Sequence, residues 1–143
     1  MLAKNILVPV DFSDCSLRAL DYAYELARKL DAKIQLLHCV GPLSPEVSLA
    51  LTPSMIDTLQ AGAVQALDKL VAARPNVAFE TPLIVRMDPR DAILEVAQTK
   101  KADLIVIGTH GRRGLSRLVL GSVAEEVLRR APCPVLTLRG GVS

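Results

Sequence analysis

"LIVIGTHGRRGLSRLVLGSVAEEVL", residues 104–128, opens as an unbroken apolar run and closes with the spacing of a helix. The run, extended by one residue as "DLIVIG" (103–108), reads as a short strand covered on both faces, and residues 122–131 read as a helix. Between them stand Gly108, Gly111, Gly114 and Gly121, three arginines, one histidine and no acid. Strand, glycine-rich turn and helix form the repeating unit of an α/β fold, so the question is whether the rest of the chain repeats it.

It does. Upstream, "NILVPV" (5–10) is a first apolar strand. Ser13 is a candidate N-cap for a helix over 14–30, whose Leu17, Leu20, Tyr24 and Ala27 fall on one stripe. "KIQLLHCV" (33–40) is a second strand, and "GPLSPEVSLALTP" (41–53), with three prolines, reads as one long loop. Ile56, Leu59, Ala63, Leu67 and Leu70 mark a second helix that ends near Arg74-Pro75. "VAFETPLIV" (77–85) is a third strand, and its Pro82, unable to donate to a ladder, places it at a sheet edge. Asp88 is a cap, Pro89 sits at the first helical position, and Ile93, Val96 and Ala97 continue a short third helix. The quoted stretch supplies the fourth strand and fourth helix, and "PVLTL" (134–138) the fifth strand. Continuous apolar strands alternating with helices predict one α/β domain over 1–143, a parallel sheet with helices on both faces. In such sheets ligands sit beyond the strand C-termini, where the winding reverses. Asp11, Val40 and the residues from Gly108 onward follow strands directly and are the candidates.

Composition excludes several classes. The net charge of +2 gives no bulk signal for nucleic acid or a membrane surface. No apolar run approaches the roughly 18 residues of a membrane span. "MLAKNILVPVDFSD" lacks the shape of a signal peptide. Cys15, Cys39 and Cys133 have neither metal nor redox-pair spacing and read as core or helix residues in a reducing cytoplasm.

The turn over 108–121 is neither the dinucleotide fingerprint nor a P-loop, yet its chemistry is similar. Glycines let a ligand approach the main chain, and successive N–H groups form an anion-binding concavity. Ser122 opens a helix, whose positive end favours anions, and Arg112, Arg113 and Arg117 suit phosphate oxygens. A ligand-free reading competes: Gly108 ends a strand, and Ser122 with Glu125 forms a capping box.

The same spacing, Gly108, Gly111, nine residues, then Gly121-Ser122, resembles the G-x2-G-x9-G-[ST] motif of the universal stress proteins. "ILVPVDFSDCSLRAL" is similar to that family's opening, and "ADLIVIGTHGRRGLSRLVLGSVAEEVLRRAPCPVLTL" to its C-terminal third. The resemblance implies an adenine nucleotide alpha hydrolase-like fold, a five-stranded sheet of order 3-2-1-4-5, and a homodimer joined through residues 134–138. In the branch that keeps the motif it implies ATP, ADP or AMP, with Mg²⁺ or Mn²⁺, between the first and fourth strands. By position, Pro9, Val10 and Asp11 would lie against the nucleoside, and the main chain of Val40 against the adenine edge. Gly108, His110, Gly111 and Arg112 would line ribose and first phosphates, and Gly121, Ser122 and Val123 the phosphate tail. One departure stands at Met87, where family members often carry a glycine.

No Walker-type acid and no assembled nucleophile–base pair is visible, although Asp11 could hold a metal and His110 could serve as a base. Three readings remain. The first is a cytoplasmic nucleotide-binding dimer that acts in a stress response through an unidentified protein partner. The second is a slow ATP-hydrolysing or nucleotidyl-transferring enzyme. The third is an anion-binding interaction module without preference for adenine.

Overall fold

The computed structural model describes residues 3–40, 44–109 and 120–139. These residues form, in chain order, β1 (Asn5–Pro9), α1 (Asp14–Leu30), β2 (Lys33–Cys39), α2 (Pro45–Ala50), α3 (Pro53–Ala72), β3 (Ala78–Phe79), β4 (Leu83–Val85), α4 (Pro89–Thr99), β5 (Leu104–Gly108), α5 (Ser122–Arg130) and β6 (Val135–Leu138). The sheet is parallel, in the order β3-β2-β1-β5-β6, with β4 also on β2. This is the expected 3-2-1-4-5 winding, with the expected third strand broken in two. Three residues, 80–82, stand opposite two on β2, 35–36, so Pro82 sits in a bulge. The amide of Gln35 spans the break: Nε2 donates to Leu36 O and Thr81 O, both at 2.9 Å.

Alternation along the strands divides the core between two faces. Ile6, Val8, Val10, Ile34, Leu36 and Val106 pack under α1 and the C-terminal half of α3. Leu7, Leu37, Ile105 and Ile107 pack under α4 and α5. Each fully buried aliphatic side chain contributes about 1.5–3 kcal/mol, which is why continuous apolar strands form the centre of the molecule.

Helix ends follow their local chemistry. Ser13 Oγ accepts from Ser16 N at 3.2 Å and starts α1. Asp31 ends it in the left-handed region, with Ala32 N reaching back to Ala27 O at 3.0 Å. Asp88 caps α4, with Pro89 at its first turn. The segment expected as one long loop contains α2, whose Ser44 cap and Pro45 start repeat the pattern at Thr52-Pro53. Met87 has no positive φ: the turn is built without the glycine conformation, and Met87 packs on the α4/α5 core.

Candidate functional site

β1 lies at the reversal point, with β2 on one side and β5 on the other. Its pairing with the two neighbours differs in length. β1 runs beside β2 through Pro9, but its register with β5 covers only Ile6–Leu7 against Leu104–Ile105. The cause is covalent. Val10 N donates to Leu37 O on β2 at 2.8 Å. Alternate residues of a strand face opposite neighbours, so the nitrogen of Pro9 faces β5 and carries no hydrogen. The β1–β5 ladder therefore stops at Leu7 and Ile105, at the switch point where sheets of this winding offer room for a cleft.

One wall of the cleft is the turn after β1. Asp11 Oδ1 accepts from Ser13 N at 2.9 Å, and Asp11 N donates to Ser16 Oγ at 3.3 Å. Asp11 has further interactions that these bonds do not exhaust. Ser13 is the cap of α1, so Asp11 shapes the turn instead of capping the helix. Phe12 takes φ of 63°, an unfavourable region for a bulky side chain, and is held there by neighbours. Its ring lies 4.8 Å from that of His38, whose Nδ1–H donates to Val10 O at 2.8 Å. A carbonyl can only accept, so the proton is on Nδ1. His38 thus ties the end of β1 to β2. The sequence reading passed over it, although a lone imidazole near the end of an apolar strand was the available signal.

The opposite wall starts at Gly108, the last residue of β5. A Cβ there would stand 2.7 Å from Cys15 Sγ and 3.0 Å from the Cys15 carbonyl carbon and oxygen. The first turn of α1 lying against β5 therefore requires a glycine at this position. Thr109 N donates to Leu138 O at 2.8 Å, and Thr109 O accepts from Gly121 N at 2.7 Å. That last bond ties the two ends of the glycine-rich segment together.

Gly121, not Ser122, is the N-cap of α5, and among the described residues no side chain caps it. The expected capping box is therefore absent. Glu125 donates its N–H to Gly121 O, and its carboxylate accepts from Arg129 Nη2 at 2.9 Å. Ser122 is exposed in the first turn, followed by half-buried Val123. A helix start without a side-chain cap leaves N–H groups for an anion.

Val40 follows β2, and its N–H is donated to Val85 O at 2.8 Å, which leaves its carbonyl to meet a ligand. His110, Gly111, Arg112, Gly114 and Arg117 lie outside the described residues. Among the described residues no three His, Cys, Asp or Glu side chains converge as a metal cage. The cysteines are free thiols, and burial, with the charge of Asp88 adding to it, pushes that of Cys39 up to about 11. No described helix is long and apolar enough to cross a membrane.

A parallel sheet whose winding reverses at β1, with a helix starting beside the end of β5, has the architecture of the doubly wound α/β class. The match is closer than class. The profile of the universal stress protein family covers residues 3–139, and the chain belongs to that family. A universal stress protein of Methanocaldococcus jannaschii is 39% identical over 143 residues, 96% of this chain and 83% of the relative. A universal stress protein solved in complex with cAMP is similar at a TM-score of 0.72 and 28% identity, covering 96% of this chain and 98% of its own. One from Archaeoglobus fulgidus in complex with dAMP gives a TM-score of 0.63 and 28% identity, again with 96% and 98% coverage.

Proposed function

We propose that the chain binds an adenine nucleotide in the cleft between β1 and β5 and acts as a cytoplasmic, dimeric stress-response module. The observation that carries the reading is the β1–β5 ladder cut short at Pro9 beside the α5 N-terminus, which no side chain caps among the described residues. The nucleoside lies along Pro9, Val10 and Asp11, with the base reaching the Val40 carbonyl. Gly121, Ser122 and Val123 hold the phosphates at the helix start. Gly108, His110, Gly111 and Arg112 complete that wall, the arginine supplying charge. Mg²⁺ or Mn²⁺ would ride on phosphate oxygens, since the described residues offer no cage of their own. β6, uncharged and at the sheet edge, is the surface for a second copy.

Support comes from the two similar complexes, whose ligands are adenine nucleotides. Those ligands carry one phosphate each, which favours AMP as a second reading beside ATP, the occupant implied by the glycine spacing and arginines. Calorimetry with ATP, ADP, AMP and cAMP separates them. The sharper test is Ser122→Asp. An acid in the first turn suits the helix dipole, so the fold is retained, but it repels phosphate. We expect at least about a tenfold loss of nucleotide affinity with unchanged melting. Undiminished affinity would move the phosphates away from α5.

A further inference from the structure

We propose that His38 is a positioning residue for the nucleotide: its imidazole sets the path of the main chain over Val10, Asp11 and Phe12 and acts on the ligand only through that chain. This role rests on the seat proposed above. The β1–β2 register ends at Pro9 and Leu37, and Val10 N donates to Leu37 O at 2.8 Å. The next polar group, the Val10 carbonyl, is taken by a side chain instead of a further rung: His38 Nδ1–H donates to it at 2.8 Å. Two residues on, Phe12 stands at φ of 63° with its ring 4.8 Å from the imidazole. A left-handed φ costs a bulky residue free energy and persists only where neighbours hold it. One imidazole therefore braces both ends of a short segment whose middle is Asp11.

Two features separate this role from packing alone. The first is the residue type. His38 is half-buried and, by strand alternation, shares its face of β2 with the fully buried Leu36. An aliphatic side chain at 38 would continue that core, but it could not bond the Val10 carbonyl; what the imidazole adds is one directed N–H. The second is how the rest of the turn is fixed. Asp11 Oδ1 accepts from Ser13 N at 2.9 Å, and Asp11 N donates to Ser16 Oγ at 3.3 Å, so α1 holds Asp11 from one side and His38 holds its two neighbours from the other. Without the imidazole the turn stays attached to α1, while the Val10 carbonyl and Phe12 are released. The surface offered to a nucleoside then shifts although the fold survives.

The experiment is calorimetric titration of AMP and ATP into the full-length wild-type protein, His38→Leu and His38→Asn, beside nuclear magnetic resonance of isotope-labelled histidine. Asparagine carries its amide nitrogen on Cγ, as histidine carries Nδ1, so His38→Asn keeps the donor and loses the ring, whereas His38→Leu loses both. Both variants are expected to melt below wild type, because both lose the contact with Phe12. Affinity is expected to follow the donor: weaker by about tenfold in His38→Leu and by no more than about threefold in His38→Asn. A histidine that only packs would move affinity in neither variant or in both alike. The His38 signal, identified among the 2 histidines by its absence from His38→Asn, should show the proton on Nδ1 at neutral pH and keep it when AMP is added. Undiminished affinity in His38→Leu overturns the proposal, as does equal weakening in His38→Asn or a proton on Nε2. Wild-type protein that binds neither nucleotide removes the seat itself and this role with it, whereas the other failures leave the seat standing.

Discussion

Helices α1 and α3 lie on the same face of the sheet and are of similar length, 17 and 20 residues, yet they are held very differently. α1 buries Cys15, Ser16, Ala19, Leu20, Ala23 and Ala27, a stripe running its whole length. α3 fully buries Leu67 alone, and Leu70 and Val71 join the core behind it. Its C-terminal end is fastened to α1: Arg74 Nη2 donates to Asp21 Oδ1 at 2.6 Å, and Tyr24 Oη donates to Pro75 O at 2.8 Å. Among the described residues its N-terminal half has no such anchor. One helix is held along its whole length; the other is held mainly at its C-terminal end. Local opening free energy follows buried contact, so the N-terminal end of α3 belongs to the low-stability part of the molecule.

The widest gap should appear on truncation. Leu20 is fully buried and Leu59 half exposed. Leu20→Ala is expected to cost about 3 kcal/mol, and Leu59→Ala less than about 0.5. Urea unfolding of both variants measures the difference, and comparable losses would abolish the distinction between the two helices. Next comes Gly108→Ala, which brings a methyl against Cys15 Sγ and its backbone and is expected to cost about 1–3 kcal/mol. Cys15→Ala in the same chain should relieve part of this, because the backbone contacts at 3.0 Å remain. Full rescue would show that α1 is not pressed against β5. The smallest effect concerns the caps. Ser13→Ala should lower global stability by about 1 kcal/mol. Thr52→Ala should instead raise amide exchange over the first turns of α3 and leave the global midpoint nearly unchanged, because that end contributes little to the core.

The same contrast explains what was legible in the sequence. α1 was readable because its cap, apolar period and closing residues agree with its packing. Pro82 announced an edge, and Asp88-Pro89 a helix start, because both act through the backbone of their own residue. α2 went unread, although Ser44-Pro45 has the form of Asp88-Pro89: the helix has only 6 residues, and three prolines in the segment suggested a loop. Pro9 was visible as a proline, but its effect depends on which neighbour its nitrogen faces, a property of sheet order. Ser122-x-x-Glu125 matched a capping box, yet the long-range bond from Gly121 N to Thr109 O sets the chain's path, and the helix begins one residue earlier in cap terms. Gly108 read as the end of a strand and as room for a ligand, but its packing against Cys15 was hidden because it joins residues 93 apart in sequence.

The two margins of the sheet carry a consequence for assembly. On one side the outer strand is interrupted at residues 80–82, and Lys33 Nζ meets Glu80 Oε1 at 2.8 Å beside the interruption. On the other, β6 is regular and uncharged. The proposed strand-to-strand association through β6 would use up that margin on both copies and would therefore be self-limiting. The kinked, charged margin that the proposed dimer would leave outward is a poor template for a third strand, so the proline that marks the edge also works against growth toward fibres.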